Sequence, residues 1–170
     1  MVDRKLVLGL LSAAVAIGAV AFGRRKSEPR LDEAEIRRRI DALVVAVRAA
    51  DLERVMSFYA PDLVTFDIVP PLRKLGADGK RQNWIDVFAT YQHPLGYEVR
   101  DLTITVGADV AFAYSLNRIS GTLQNGTRID QWVRWTTCWR KLGGKWVIAH
   151  DHVSVPTDFR TGKALLDLRP

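Results

Sequence analysis

The apolar positions change rhythm along the chain, and the change marks its organisation. From Leu6 to Gly23 no charge interrupts an almost wholly apolar run. After a short stretch, Ser27 to Arg30, the rhythm becomes helical. Asp32 with Glu35 three residues on has the form of a capping box, and Ile36, Ile40, Leu43, Val44 and Val47 follow at helical spacing. Asp51 caps a second predicted helix, with Leu52, Val55, Met56 and Tyr59 as its apolar side and Pro61 as its end. Leu63 to Val69 reads as a strand, stopped by Pro70-Pro71. A third helix is predicted from Asp78 to Tyr91, with Trp84, Val87, Phe88 and Tyr91 on one side. Beyond His93-Pro94 every segment reads as β: Tyr97 to Val106, Val110 to Leu123, Arg128 to Lys141 and Lys145 to Val155. Asn125-Gly126 and Gly143-Gly144 have the form of two-residue hairpin turns. Three helices followed by a run of antiparallel strands is an α+β pattern.

Two-residue turns would also fix the register. Around Gly143-Gly144, Trp139 faces Ile148, Thr137 faces His150 and Trp135 faces His152. Around Asn125-Gly126, Phe112 faces Trp139, Tyr114 faces Thr137 and Leu116 faces Trp135. One face then carries Phe112, Tyr114, Leu116, Trp135, Trp139 and Ile148, with His150 and His152 beside them. The helices are the available cover for so aromatic a face, so the histidines are expected to look into an apolar cavity. The other face carries Ala111, Ala113, Ser115, Asn117, Thr136, Cys138, Ala149 and Asp151. That smaller, mixed surface is free to meet solvent or a second copy of the chain. A β-bulge in either long strand would invert part of this assignment.

Composition adds three constraints. At 48% hydrophobic and 26% charged, 170 residues suit one folded domain once the leading segment is set aside. The single cysteine, Cys138, excludes an internal disulfide and a cysteine-rich zinc site. The net charge of +6 is concentrated near the leading segment, in Arg24, Arg25, Lys26 and Arg30, then Arg37 to Arg39. Basic residues beside an apolar run read as a membrane flank, and no nucleic-acid motif accompanies them. Residues 1–26 are therefore an anchor or a signal peptide, 27–30 a linker and 31–170 the domain. The basic flank favours an uncleaved anchor with the domain on the cytoplasmic side. Ala19-Val20-Ala21 offers the alternative of cleavage and export.

Four stretches then carry a family likeness: F-Y-A-P-D-L-V-T-F-D from Phe58, G-Y-E-V-R-D-L from Gly96, R-I-D-Q-W-V-R-W-T from Arg128 and G-G-K-W-V-I-A-H-D-H-V-S from Gly143. In these and in its order of elements the chain, from about Leu31 to Pro170, resembles the SnoaL-like, or nuclear transport factor 2-like, superfamily, in its ketosteroid-isomerase-like branch. The resemblance implies a cone: a curved antiparallel sheet wrapped around three helices, preceded here by the apolar N-terminal segment. It also implies a small apolar ligand. Enzymes among the relatives isomerise, cyclise or dehydrate by proton transfer without a cofactor, while other relatives only bind or dimerise.

The candidate residues follow from the expected inner face. His150 and His152 are acid–base candidates, since an unperturbed imidazole titrates near neutral pH. Tyr114 is a candidate oxyanion donor and Asp67 a second base, provided its strand turns it inward. Phe66 alternates with Asp67, and apolar preference would put Phe66 inside. Trp135, Leu116, Phe112 and Arg118 are the expected ligand contacts. A metal would need a third ligand beside the two histidines, such as Asp67 or His93, so no metal and no cofactor are assigned. Arg134 and Asp151 are expected to pair diagonally on the outer face. A homodimer through that face is the expected assembly.

Overall fold

The computed structural model describes residues 28–170. The first helix, α1 (Pro29–Arg48), starts earlier than the capping-box reading placed it: Pro29 takes the first turn, where its missing N–H costs nothing. Asp32 lies inside that turn and has a different task. Its carboxylate accepts Trp146 Nε1 at 2.9 Å and meets Lys141 Nζ at 2.7 Å, pinning the start of α1 to the sheet. The expected stripe is buried, with Ile36, Ile40, Leu43 and Val47 at the centre of the core. Helix α2 (Leu52–Met56) is capped by Asp51, which accepts the Arg54 N–H at 3.0 Å.

Strand β1 (Tyr59–Phe66) begins before the predicted Leu63. Pro61 does not end the helix; it sits within β1, where the pairing register shifts between Tyr59 and Val64. The short β2 (Lys74–Leu75) turns back along β1 and leads into α3 (Ala77–Thr90). Four long strands complete the sheet: β3 (Gly96–Val106), β4 (Val110–Thr122), β5 (Arg128–Leu142) and β6 (Lys145–Ser154). The order is β2-β1-β6-β5-β4-β3, and a small hairpin of β7 (Thr157–Asp158) and β8 (Lys163–Ala164) follows. The sheet is mixed rather than antiparallel throughout, because β1 runs parallel to β6. The two strands are joined through the rest of the domain, so no hairpin constrains their direction. Helix α1 packs on β3 and α3 on β1, which covers one face of the curved sheet.

The register departs from the sequence reading at two places, and both matter for the site. Leu123 and Thr127 close a three-residue loop, with the Leu123 N–H on the Thr127 carbonyl at 2.8 Å and Gly126 in the left-handed region at φ 86°. Phe112 therefore faces Cys138 and Tyr114 faces Thr136, one residue away from expectation. Around Gly143-Gly144 the two-residue turn holds, and Trp139 faces Ile148 as expected. A bulge then intervenes at Ala149. Beyond it Cys138 faces His150, Thr137 faces Asp151 and Thr136 faces His152.

A side-chain period of two turns each slip into an inversion. Phe112, Tyr114, Leu116 and Arg118 move from the inner to the outer face, as do His150 and His152. Ala111, Ala113, Ser115, Asn117 and Asp151 move inward and are buried. Trp135 and Trp139 remain inside, where they were expected. The leading segment and the membrane readings attached to it lie outside the described residues. Among the described residues, no helix is long and apolar enough to cross a membrane.

Candidate functional site

Inside the curve of the sheet is a cavity of about 240 Å³. Its wall is mostly apolar: Tyr59, Trp84, Val87, Tyr97, Ile119, Val133, Trp135 and Val153, with Ile68 and Val69 beside them. Helix α3 supplies one side through Lys80, Asn83, Trp84 and Val87, a run at helical spacing that places all four on one face. The bulge at Ala149 supplies Asp151 from the sheet.

These residues meet in one charged cluster. Lys80 Nζ lies 2.7 Å from Asp151 Oδ2 and 3.3 Å from Asp67 Oδ2. The Asp151 side chain is fully buried, that of Lys80 is 5% exposed and that of Asp67 is 13% exposed. Trp135 Nε1 donates to Asp151 Oδ1 at 2.7 Å. Asp67 accepts Asn83 Nδ2 on Oδ2 and the Ile68 backbone N–H on Oδ1, both at 2.8 Å. Three of the four carboxylate oxygens accept a hydrogen bond, and the fourth, Asp151 Oδ2, is held by its ion pair with Lys80. Lys74 extends the cluster through a hydrogen bond to Asn83 Oδ1. Burial works against the charge on Lys80, but Asp151, Tyr59 and Asp67 outweigh it and hold the ammonium above its ordinary pKa.

A second chain of hydrogen bonds reaches the cavity from β4. Ser115 Oγ donates to Asn117 Oδ1 at 2.7 Å, and Asn117 Nδ2 donates to Tyr97 Oη at 2.9 Å. Tyr97 Oη is therefore an acceptor in this chain, which leaves its own hydrogen for a partner in the cavity. Burial pushes the Tyr97 phenol up to about 12, and the Asn117 hydrogen bond offsets part of that shift. Burial first, and then Asp151, also raises Tyr59, whose oxygen accepts Trp84 Nε1 at 3.4 Å.

The residues predicted from sequence separate into two groups. Asp67 and Trp135 line the cavity. Asp67 does so at the expense of Phe66, which turns outward, since the two alternate along the strand. His150, His152 and Tyr114 do not line it. His150 Nδ1 donates to the Val64 carbonyl at 2.9 Å, and both imidazoles meet Phe66 edge-on. Phe112 and Tyr114 are 45% and 50% exposed on the same outer face. Arg118 forms a two-point pair with Asp130, both contacts at 2.8 Å, so it is a surface ion-pair residue. The expected Arg134–Asp151 pair does not form, because Asp151 points the other way. Among the described residues, no group of three or more His, Cys, Asp or Glu side chains is placed to hold a metal.

Lys80, Asn83, Tyr97, Asn117 and Asp151 were missed by sequence reasoning. One signal was available: Lys80 falls on the stripe of Trp84 and Val87, and a lysine on an apolar helix face calls for a buried anion.

Known proteins place this arrangement in context. A family model described as a SnoaL-like domain matches residues 36–158. A nuclear transport factor 2-like protein of unknown function from Pseudomonas putida KT2440 is 33% identical, with TM-score 0.76, over 83% of this chain and 98% of that one. A ketosteroid isomerase-like protein from Erwinia carotovora atroseptica SCRI1043 is 25% identical, with TM-score 0.61, over 71% of this chain and 93% of that one. A protein with a cystatin-like fold from Nostoc punctiforme PCC 73102 shares the fold at 17% identity, with TM-score 0.61, over 72% of this chain and 90% of that one. A search of curated proteins gives no match.

Proposed function

Because the chain belongs to the SnoaL-like family, we propose that its cavity binds a small, largely apolar molecule by its one polar end. The observation that carries this reading is a 240 Å³ cavity with aromatic and aliphatic walls that converge on the Lys80–Asp151–Asp67 cluster. Concave apolar space with a few convergent polar groups is the usual form of a small-molecule site. The test is native mass spectrometry of the full chain purified from cells. A retained non-covalent mass is the expected result, and a ligand-free chain under all gentle conditions would count against it.

The chemistry proposed for this site is proton transfer on a carbonyl compound, as isomerisation, cyclisation or dehydration without a cofactor. Asp67 supports it, as a carboxylate at the cavity wall beside an ammonium. Asp67 serves as the base, while Tyr97 and Lys80 donate to the oxygen on which charge develops. The roles first assigned to His150, His152 and Tyr114 pass to these residues.

Two further readings concern assembly. The outer sheet face, with Phe66, Phe112 and Tyr114 partly exposed, supports a homodimer in which the two faces cover each other. The uncharged run from Leu6 to Gly23 supports a membrane tether, with the domain cytoplasmic if the run is kept and exported if it is cleaved. Membrane fractionation of the full chain against a chain lacking residues 1–26 checks the tether.

A further inference from the structure

The charges that face the cavity do not cancel. Lys80 contributes one positive charge, and Asp67 and Asp151 contribute one negative charge each. Among the described residues, the other ammonium in contact, that of Lys74, bonds Asn83 without lining the cavity and is partly exposed to water. No arginine or histidine is among the lining residues, so the cation on the wall is Lys80, which already pairs with both carboxylates.

The hydrogen bonds are as lopsided as the charges. Three carboxylate oxygens accept hydrogen bonds, from Trp135 Nε1, Asn83 Nδ2 and the Ile68 N–H, and Asp151 Oδ2 meets Lys80 Nζ in an ion pair. An ammonium carries three hydrogens; Lys80 donates one to Asp67 and is held to Asp151 by an ion pair. The ammonium keeps a hydrogen to spare, and so do the Tyr97 and Tyr59 hydroxyls, whose oxygens accept Asn117 Nδ2 and Trp84 Nε1. The polar end of the cavity therefore offers donors inside a field of net negative charge.

We infer that this cavity selects an uncharged molecule bearing a hydrogen-bond acceptor, such as a carbonyl or ether oxygen, and rejects carboxylates of the same shape. The inference rests on the proposed ligand-binding reading and adds its charge selectivity. An uncharged acceptor meets these spare donors and adds no charge. A carboxylate would bring a third anion within a few ångströms of Asp67 and Asp151, in a mostly apolar cavity that screens charge less than bulk water does.

The matched pair 2-acetylnaphthalene and 2-naphthoate separates these cases, with binding to the full chain measured by calorimetry. The ketone is expected to bind, and the carboxylate to bind about 100-fold or more weakly, the size of one unscreened like-charge contact. Asp67→Asn removes the excess negative charge and is expected to raise carboxylate affinity about 10-fold relative to the ketone. Carboxylate binding as tight as the ketone, or an unchanged ratio in a folded Asp67→Asn chain, would overturn the selectivity while leaving ligand binding intact. If neither compound binds the wild-type chain, the binding reading falls and this inference falls with it. Should Asp67→Asn fail to fold, the wild-type pair decides alone.

Discussion

Lys80 shows most directly how one side chain organises this molecule. A buried ammonium is tolerated because two carboxylates and two aromatic rings surround it, with the Tyr59 and Trp84 centroids at 5.9 and 5.6 Å. Removing one partner of such a cluster leaves an uncompensated buried charge. Lys80→Met is therefore expected to cost about 3–5 kcal/mol in urea denaturation, because the Asp151 side chain is fully buried. The buried titrating groups also give the protein an alkaline limit. The Tyr97 phenol stays neutral in the folded state up to about 12, whereas in the unfolded chain it ionises near 10.0. Ionisation above pH 10 thus favours the unfolded state. Lys80 acts in the same direction: its folded pKa is raised, so its contribution is complete below the unfolded value of 10.5 and is lost as pH rises beyond it. Melting temperature is expected to fall steeply above pH 10, and less steeply in Tyr97→Phe. At this scale the sequence was least legible. Whether Asp67 or Phe66 pointed inward, and whether Asp151 or His152 did, depended on pairing geometry that residue preference alone decides wrongly.

Among the elements, β6 carries the decisive irregularity. Its first residues, Trp146 to Ile148, follow the hairpin register and feed the closed end of the core. The extra residue at Ala149 then rotates the rest of the strand, presenting Asp151 to Lys80 and moving the histidines outward. Deleting Ala149 would restore the simple register, burying two imidazoles and expelling the carboxylate. The expected outcome is loss of cooperative unfolding, read by near-ultraviolet circular dichroism; a folded variant of wild-type stability would contradict the role given to the bulge. Helices and strands themselves were readable, since Ile36, Ile40, Leu43 and Val47 announce α1 and Gly143-Gly144 announces its hairpin. The Asn125-Gly126 turn misled because Asn-Gly serves a three-residue loop as readily as a two-residue one when glycine takes the left-handed position. A bulge leaves no mark in the alternation of W-V-I-A-H-D-H-V, where small and polar residues fit either face.

At the scale of the whole molecule, the two faces of the sheet have separate tasks. The inner face builds the core and then the cavity. The outer face, which was expected to be small and mixed, instead displays Phe66, Phe112 and Tyr114 around His150 and His152. A homodimer through this face is expected to dissociate in Phe112→Lys, seen as a halved mass in sedimentation equilibrium, while ligand binding persists. A chain that is monomeric before the substitution would contradict the assembly. The α+β class was legible because three helical stripes precede four β segments, which leaves few ways to cover a sheet. The parallel pairing of β1 with β6 was not, since nothing local specifies contact between strands so far apart in the chain.

The central claim is that the site lies in the cavity, at Asp67, Lys80, Tyr97 and Asp151, and not at the histidine pair. Calorimetric affinity for 2-acetylnaphthalene, compared across three folded variants, tests it most directly. Tyr97→Phe is expected to weaken affinity about 10-fold or more, as loss of a buried hydrogen-bonding group would, while His150→Ala and His152→Ala leave it within about two-fold, since neither imidazole lines the cavity. The reverse pattern, with affinity following the histidines and indifferent to Tyr97, would contradict it.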